Sequence, residues 1–148
     1  MGFLGLFADK EKTKKEKIKK EKLSDRETAF VMAKNVFKDI LLSDEKIDHA
    51  LNGKCDAENL IFSTGVLAAT SKRALYYFQD GSKTGTETIM YDKILSITTT
   101  SGFESKMGSY IGVAIELANG KQRVVRCLDK PEFKDMIKEI IFYIESKR

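Results

Sequence analysis

The chain is short of the residues that carry most protein chemistry. Its 148 residues include one histidine, His49, two cysteines, Cys55 and Cys127, and one proline, Pro131. A lone histidine in "KIDHAL" builds no metal centre and reads as a surface or capping residue. The cysteines show no CxxC spacing and have no neighbouring histidine, which removes the usual zinc frameworks. Both read as reduced, mostly buried thiols of a cytosolic protein. A Cys–His dyad would need one of them beside His49, and the spacing does not suggest it. Asp44 and Glu45 could pass for paired carboxylates, but they sit in a capping sequence. No glycine-rich run has P-loop spacing. The expectation is a protein that is not an enzyme, with no cofactor, no catalytic residue and no metal ligand.

Long apolar runs are missing too. Nothing approaches the roughly 20 residues needed to span a bilayer. No Asn-X-Ser/Thr sequon occurs. The apolar start is followed by charge instead of preceded by it, so it is no secretory signal. Leu6 stands where a myristoylation motif needs Ser or Thr. These absences point to the cytoplasm. Excess charge of one sign is also scarce on the body of the chain. Residues 1–25 carry a net +3 and residues 26–148 a net +1. A nucleic-acid protein concentrates positive charge on the folded face that meets phosphates, so nucleic acid is not an expected partner.

What is present begins with an apolar tip, Phe3, Leu4, Leu6 and Phe7, on a Lys/Glu-rich stalk that includes Lys14 and Lys15. Glu11–Lys15 and Glu16–Lys20 are helix-favouring pairs. Between Lys10 and Lys22 Ile18 is the only large apolar residue, so a helix there could bury no face. This leader has three readings. The tip enters an anionic bilayer beneath the lysines, or it docks on a protein or another copy, or it is a disordered tail. The first reading would make the chain peripheral on the inner face of the membrane.

Ser24–Glu27 is a capping box. Ala29, Phe30, Ala33, Val36, Phe37, Ile40 and Leu41 recur at three and four, predicting a helix over 25–41. Ser43–Lys46 restarts the chain. Strands are predicted at 65–70, 73–79, 86–91 and 94–100, with loops at 80–85 and 101–109. Asn119-Gly120 predicts a two-residue hairpin turn. That turn would set Glu116 opposite Arg123 on the wet face. Ile111, Val113, Ile115, Leu117, Val124 and Leu128 would form the core face, with Arg126 snorkelling outward from it. Asp129 and Glu132 read as a second capping box around Pro131. Phe133, Met136, Ile137, Ile140, Ile141 and Ile144 then form one wide apolar stripe.

This order resembles the pleckstrin-homology (PH) superfold, and its size suits the bacterial PH-like domains. "GVLAATSKRALYYF" (65–78) is similar to the family's glycine, strand, T-x-x-R turn and aromatic strand. "IMYDKILSIT" (89–98) is similar to its y-x-x-I-x-x-I segment. The resemblance covers residues 41–145. It implies an α+β fold, a partly open antiparallel β-barrel of about seven strands capped by a C-terminal α-helix. Here the fold carries an extra N-terminal helix. The layout would be a basic leader (1–23), an amphipathic helix (24–42) and a PH-like domain (43–148). It also implies binding instead of catalysis. Eukaryotic members read phosphoinositides with basic residues in the loop after the first strand. The matching segment, Gly53–Thr64, holds only Lys54 against Asp56 and Glu58, which departs from that pattern.

The functional expectation is a non-catalytic binding or adaptor module, tethered by its N-terminus to a membrane or assembly. The alternative is a self-assembly adaptor without lipid binding. Candidate contacts are Phe3, Leu4, Leu6, Phe7, Lys14 and Lys15 in the leader, Lys72 and Arg73 at one turn, and Phe103 and Lys106 in the 101–109 loop. Phe103 has two readings there: an anchor folded back on the domain, or an exposed contact.

Overall fold

The computed structural model describes residues 23–57 and 60–148. The leader candidates Phe3, Leu4, Leu6, Phe7, Lys14 and Lys15 lie outside the described residues. Helix α1 runs Asp25–Phe37. Ser24 caps it as expected, its Oγ accepting from Glu27 N at 3.1 Å. The helix stops four residues short of the predicted end. The chain turns after Phe37, whose carbonyl accepts from both Ile40 N and Leu41 N. Ile40 is exposed, not part of the buried face.

Seven strands follow: β1 (Ile47–Ala57), β2 (Leu60–Thr70), β3 (Ala74–Asp80), β4 (Lys83–Ile89), β5 (Ile94–Glu104), β6 (Gly108–Leu117) and β7 (Gln122–Leu128). A 3₁₀ turn, Tyr91–Lys93, precedes β5. All neighbours pair antiparallel in the order β4-β3-β2-β1-β7-β6-β5. Strands β4 and β5 form the two edges and do not pair with each other, so the sheet is open. Among the described residues, the strand pairing that links the two meanders, β1–β4 and β5–β7, is Lys54 with Arg126 and Cys55 with Val125. Gly53 sits at that join because an added Cβ would lie 2.1 Å from the Arg126 carbonyl oxygen.

Helix α2 (Pro131–Lys147) packs against β1 and β6 and buries Phe133, Met136, Ile137, Ile140 and Ile144. Each of these large apolar side chains contributes on the order of 1.5–3 kcal/mol. The predicted stripe is therefore the real one. Its predicted cap is not. Lys130 is the N-cap, with no side-chain capping bond, and Pro131 takes the first helical position. Glu132 instead accepts from Arg26 N at 2.9 Å and ties α2 to the first turn of α1.

Three further expectations change. Residues 53–57 and 60–64 are strand, not loop. Residues 101–104 and 108–109 extend the β5–β6 hairpin as far as the Glu104–Gly108 pair, leaving only a tight turn. Gly108, at φ +84°, closes that turn. The β6–β7 register is displaced by one. Gly120 N donates to Leu117 O and Gly120 lies at φ +84°, so Ala118 and Asn119 are the central turn residues and Gly120 forms a bulge. Glu116 accordingly faces Gln122, and Ile115 faces Arg123. Val125 and Cys127 turn inward, while Leu128 is 42% exposed.

Candidate functional site

The described candidates fall into two regions. At the β2–β3 turn, Arg73 is only 18% exposed. Its Nη2 donates to Glu45 Oε1 at 2.9 Å and its Nε to Glu45 Oε2 at 3.0 Å. Nη2 also reaches Ile40 O at 2.7 Å. Thr70 Oγ1 donates to Glu45 Oε2 at 2.7 Å, and Leu42 N donates to Oε1 at 3.2 Å. The Arg73 guanidinium, helped by Thr70 and Leu42, holds the Glu45 carboxyl at about 2 against the pull of burial. This cluster fastens the α1–β1 connection to the β2–β3 turn. Lys72 is paired with Asp44 at 3.1 Å.

The second region is the β5–β6 hairpin tip. Phe103 is 75% exposed, so it is not folded back. Lys106 is exposed in the turn itself. Glu104 is held by Lys54 Nζ at 2.9 and 3.1 Å, which pins the hairpin against β1. Met107 lines a groove of about 320 Å³ together with Met32, Asn52, Gly53, Leu128 and Phe133. Within the groove-lining Asn52, Oδ1 is buried without a hydrogen-bond partner. A buried acceptor of this kind is costly unless something supplies a donor.

The two regions stand apart. Thr70 pairs with Ile47 at the start of β1, whereas Lys54, which holds the hairpin, lies seven residues on. At 3.3 Å per residue that is roughly 23 Å. The chain does not gather Lys72, Arg73, Phe103 and Lys106 into one patch.

Other cations are also spent on carboxylates. Arg126 Nη2 donates to Asp56 Oδ2 at 2.9 Å and the guanidinium lies 5.5 Å from the Tyr110 ring centre. Arg123 does not meet Glu116. It turns inward and binds Glu87 of β4, with Nη2 to Oε2 at 2.9 Å, while Glu116 accepts from Ser96. Tyr76, fully buried, has its hydroxyl 2.7 Å from Asp56 O and 2.9 Å from Val124 O. His49 packs on Tyr143 with ring centres 4.8 Å apart. Among the described residues no three His, Cys, Asp or Glu side chains come together as a metal site requires.

Cys55 and Cys127 are buried and unbridged. Burial pushes both thiols up, Cys55 to about 12. A thiol reagent such as DTNB should find no fast-reacting cysteine in the folded chain and two after denaturation. One rapidly titrating thiol under native conditions would contradict this placement.

The fold and these positions can be set beside known proteins. A family model described as bacterial PH domain matches residues 41–142. The chain belongs to the bacterial PH domain family. Among solved structures, this bacterial PH domain resembles the pleckstrin homology domain from Shewanella amazonensis SB2B, with a TM-score of 0.52 and 15% identity. That match covers 78% of this chain and 98% of the other. It also resembles the C-terminal domain of an unknown protein from Leishmania infantum, with a TM-score of 0.53 and 11% identity. There the coverage is 78% and 94%. At these identities the likeness is one of fold. None of the curated proteins matches. Among the described residues no helix of this bacterial PH domain is long and apolar enough to cross a membrane.

The groove was hidden from sequence reading because α1, β1, β7, α2 and the hairpin each contribute to it.

Proposed function

We propose that this PH domain is a non-catalytic binding module that engages a protein through its β5–β6 hairpin tip, and that its leader carries it to a membrane surface. One observation supports a protein over a phosphoinositide headgroup. Lys54, Arg73 and Arg126 are committed to Glu104, Glu45 and Asp56, while the large apolar side chain of Phe103 stands free. A headgroup needs unpaired cations, and an exposed aromatic ring favours a desolvating protein contact.

The tether rests on composition. Lys10–Lys22 carries a net +5 behind Phe3, Leu4, Leu6 and Phe7. Near an anionic surface each lysine contributes on the order of 1 kcal/mol, so attachment would be weak and salt-sensitive.

Co-sedimentation of the full chain with neutral and anionic vesicles tests both parts. Wild type should pellet only with anionic vesicles at low salt. Lys14→Glu/Lys15→Glu, which lowers that net charge from +5 to +1, should stay in solution. Phe103→Ser/Lys106→Glu should pellet like wild type. Loss of pelleting in the hairpin variant would mean that the tip meets lipid, and a wild type that never pellets would remove the tether.

A further inference from the structure

We infer that the groove between β5 and α2 receives an acidic, partly apolar segment of the protein partner. Its carboxylates meet Lys134 and Lys138, and an apolar side chain meets Phe103. The inference rests on the reading of Phe103 as a protein contact and names the chemistry of that protein.

This groove is distinct from the one beside Met107. Thr99, Ser101 and Ile111 line it on the sheet, and Lys134, Ile137 and Lys138 line it on the helix. From Ile97 to Phe103 the strand runs without a bulge. Alternate residues of a strand share a face. Thr99, Ser101 and Phe103 therefore point the same way as Ile97, which is buried. Phe103 follows Ser101 by two residues, roughly 7 Å along the strand. Its exposed ring thus stands at the outer end of the groove. On the helix, Lys134 and Lys138 lie one turn apart on one face, with Ile137 beside them. An apolar floor of Ile111 and Ile137 lies under a rim of hydroxyls and cations.

The lining selects the occupant by charge. No carboxylate lines the groove. Lys54, Arg73, Arg123 and Arg126 elsewhere on the domain each already hold a carboxylate. Among the described residues Lys138 forms no ion pair, and Lys134 has only a long one, to Asp129 at 3.7 Å. The Thr99 and Ser101 hydroxyls make no hydrogen bond to another described residue. Donors and positive charge thus face the groove with no acceptor of their own. The cavity, about 270 Å³, is smaller than the roughly 300–1,000 Å³ of a small-molecule pocket, so it suits side chains. One unpaired lysine and one shared lysine match carboxylates. They are too few for a headgroup with several phosphates, each of which calls for its own cations. The Ile111–Ile137 floor and the Phe103 ring add apolar area that a headgroup cannot use.

NMR titration of the full chain with a blocked peptide of alternating glutamate and leucine, at physiological salt, tests this. The amides of Thr99, Ser101, Phe103 and Lys138 should shift together. Lys134→Gln/Lys138→Gln should weaken that binding about fivefold or more, since each exposed pair contributes modestly. Both lysines are exposed, so the variant should keep the wild-type circular dichroism. The same peptide with glutamine in place of glutamate should leave these amides unmoved. The leader's lysines attract any polyanion, so shifts confined to residues 1–22 would overturn the inference. So would no shift at all, an unchanged affinity in the lysine variant, or a glutamine peptide that binds as well. Inositol trisphosphate moving the same amides at lower concentration would overturn it in favour of a headgroup. These substitutions leave Phe103 and Lys106 in place. Their failure leaves the hairpin-tip reading standing, and that reading falls only on the vesicle result.

Discussion

Replacing Arg73 with alanine should cost about 3–5 kcal/mol of folding stability, because it leaves the Glu45 carboxylate buried without its cation. Thr70 and Leu42 would remain as donors, but neither carries charge. Removing both charges with apolar residues of similar size, Arg73→Met with Glu45→Met, should cost less than Arg73→Ala, since no charge is then stranded. Urea unfolding of wild type, Arg73→Ala and the double variant measures this directly. If Arg73→Ala loses under 1 kcal/mol yet abolishes partner or vesicle binding, Arg73 is a contact residue after all.

The same cluster makes the chain acid-sensitive in a defined window. Glu45 titrates at about 2 when folded against an ordinary 4.5. A carboxyl lowered by folding stabilises the native state above its unfolded value. That contribution is therefore whole above pH 4.5 and fades as pH falls toward 2. The gap corresponds to about 3 kcal/mol. Arg73→Ala should flatten this part of the pH–stability curve, and a curve as steep as wild type would count against the assignment.

The second large effect is expected at the join between the meanders. Gly53 and Gly112 stand on either side of β7. An added Cβ would lie 2.1 Å from Arg126 O at Gly53 and 1.9 Å from Val125 O at Gly112. In both cases the obstacle is backbone, which cannot rotate aside. Gly53→Ala and Gly112→Ala should each lose about 3 kcal/mol or more, at or above the usual cost of overpacking. Gly81→Ala is the informative control. Nothing lies within 4 Å of it, and only its φ of +62° resists a side chain, at about 1 kcal/mol. Thermal melts should rank the glycine variants that way. Equal effects at Gly53 and Gly81 would show that the join is not tightly packed.

Sequence patterning revealed the parts of the fold that are decided locally. The Ser24 cap, the α2 stripe and the central parts of strands β2 to β5 were legible from spacing, while 60–64, 83–85 and 101–104 read as loop and are strand. Errors arose where a distant partner decides. Ser101 and Gly102 read as loop, yet Lys54 holds Glu104 and draws those residues into a ladder. Asn119-Gly120 correctly marked a hairpin, but placing the turn one residue earlier reversed which β7 residues face inward. Arg73 was visible as a turn residue, and its partner Glu45, 28 positions away, was not. For the candidate site, Phe103 and Lys106 were legible as surface residues of one segment. The groove beside them was not, since no stretch of sequence contains it.

The narrow join also has a kinetic consequence. Lys54 and Arg126 stand 72 residues apart in the chain, while almost every other strand pairing is a local hairpin. During synthesis β1 emerges, finds β2, and must leave its other side unpaired until β7, the last strand, is made. Helix α2, which covers both meanders, comes later still. The β1–β4 meander therefore waits with one flank open until β7 has been made. Assembly of the whole is limited by a single long-range loop closure.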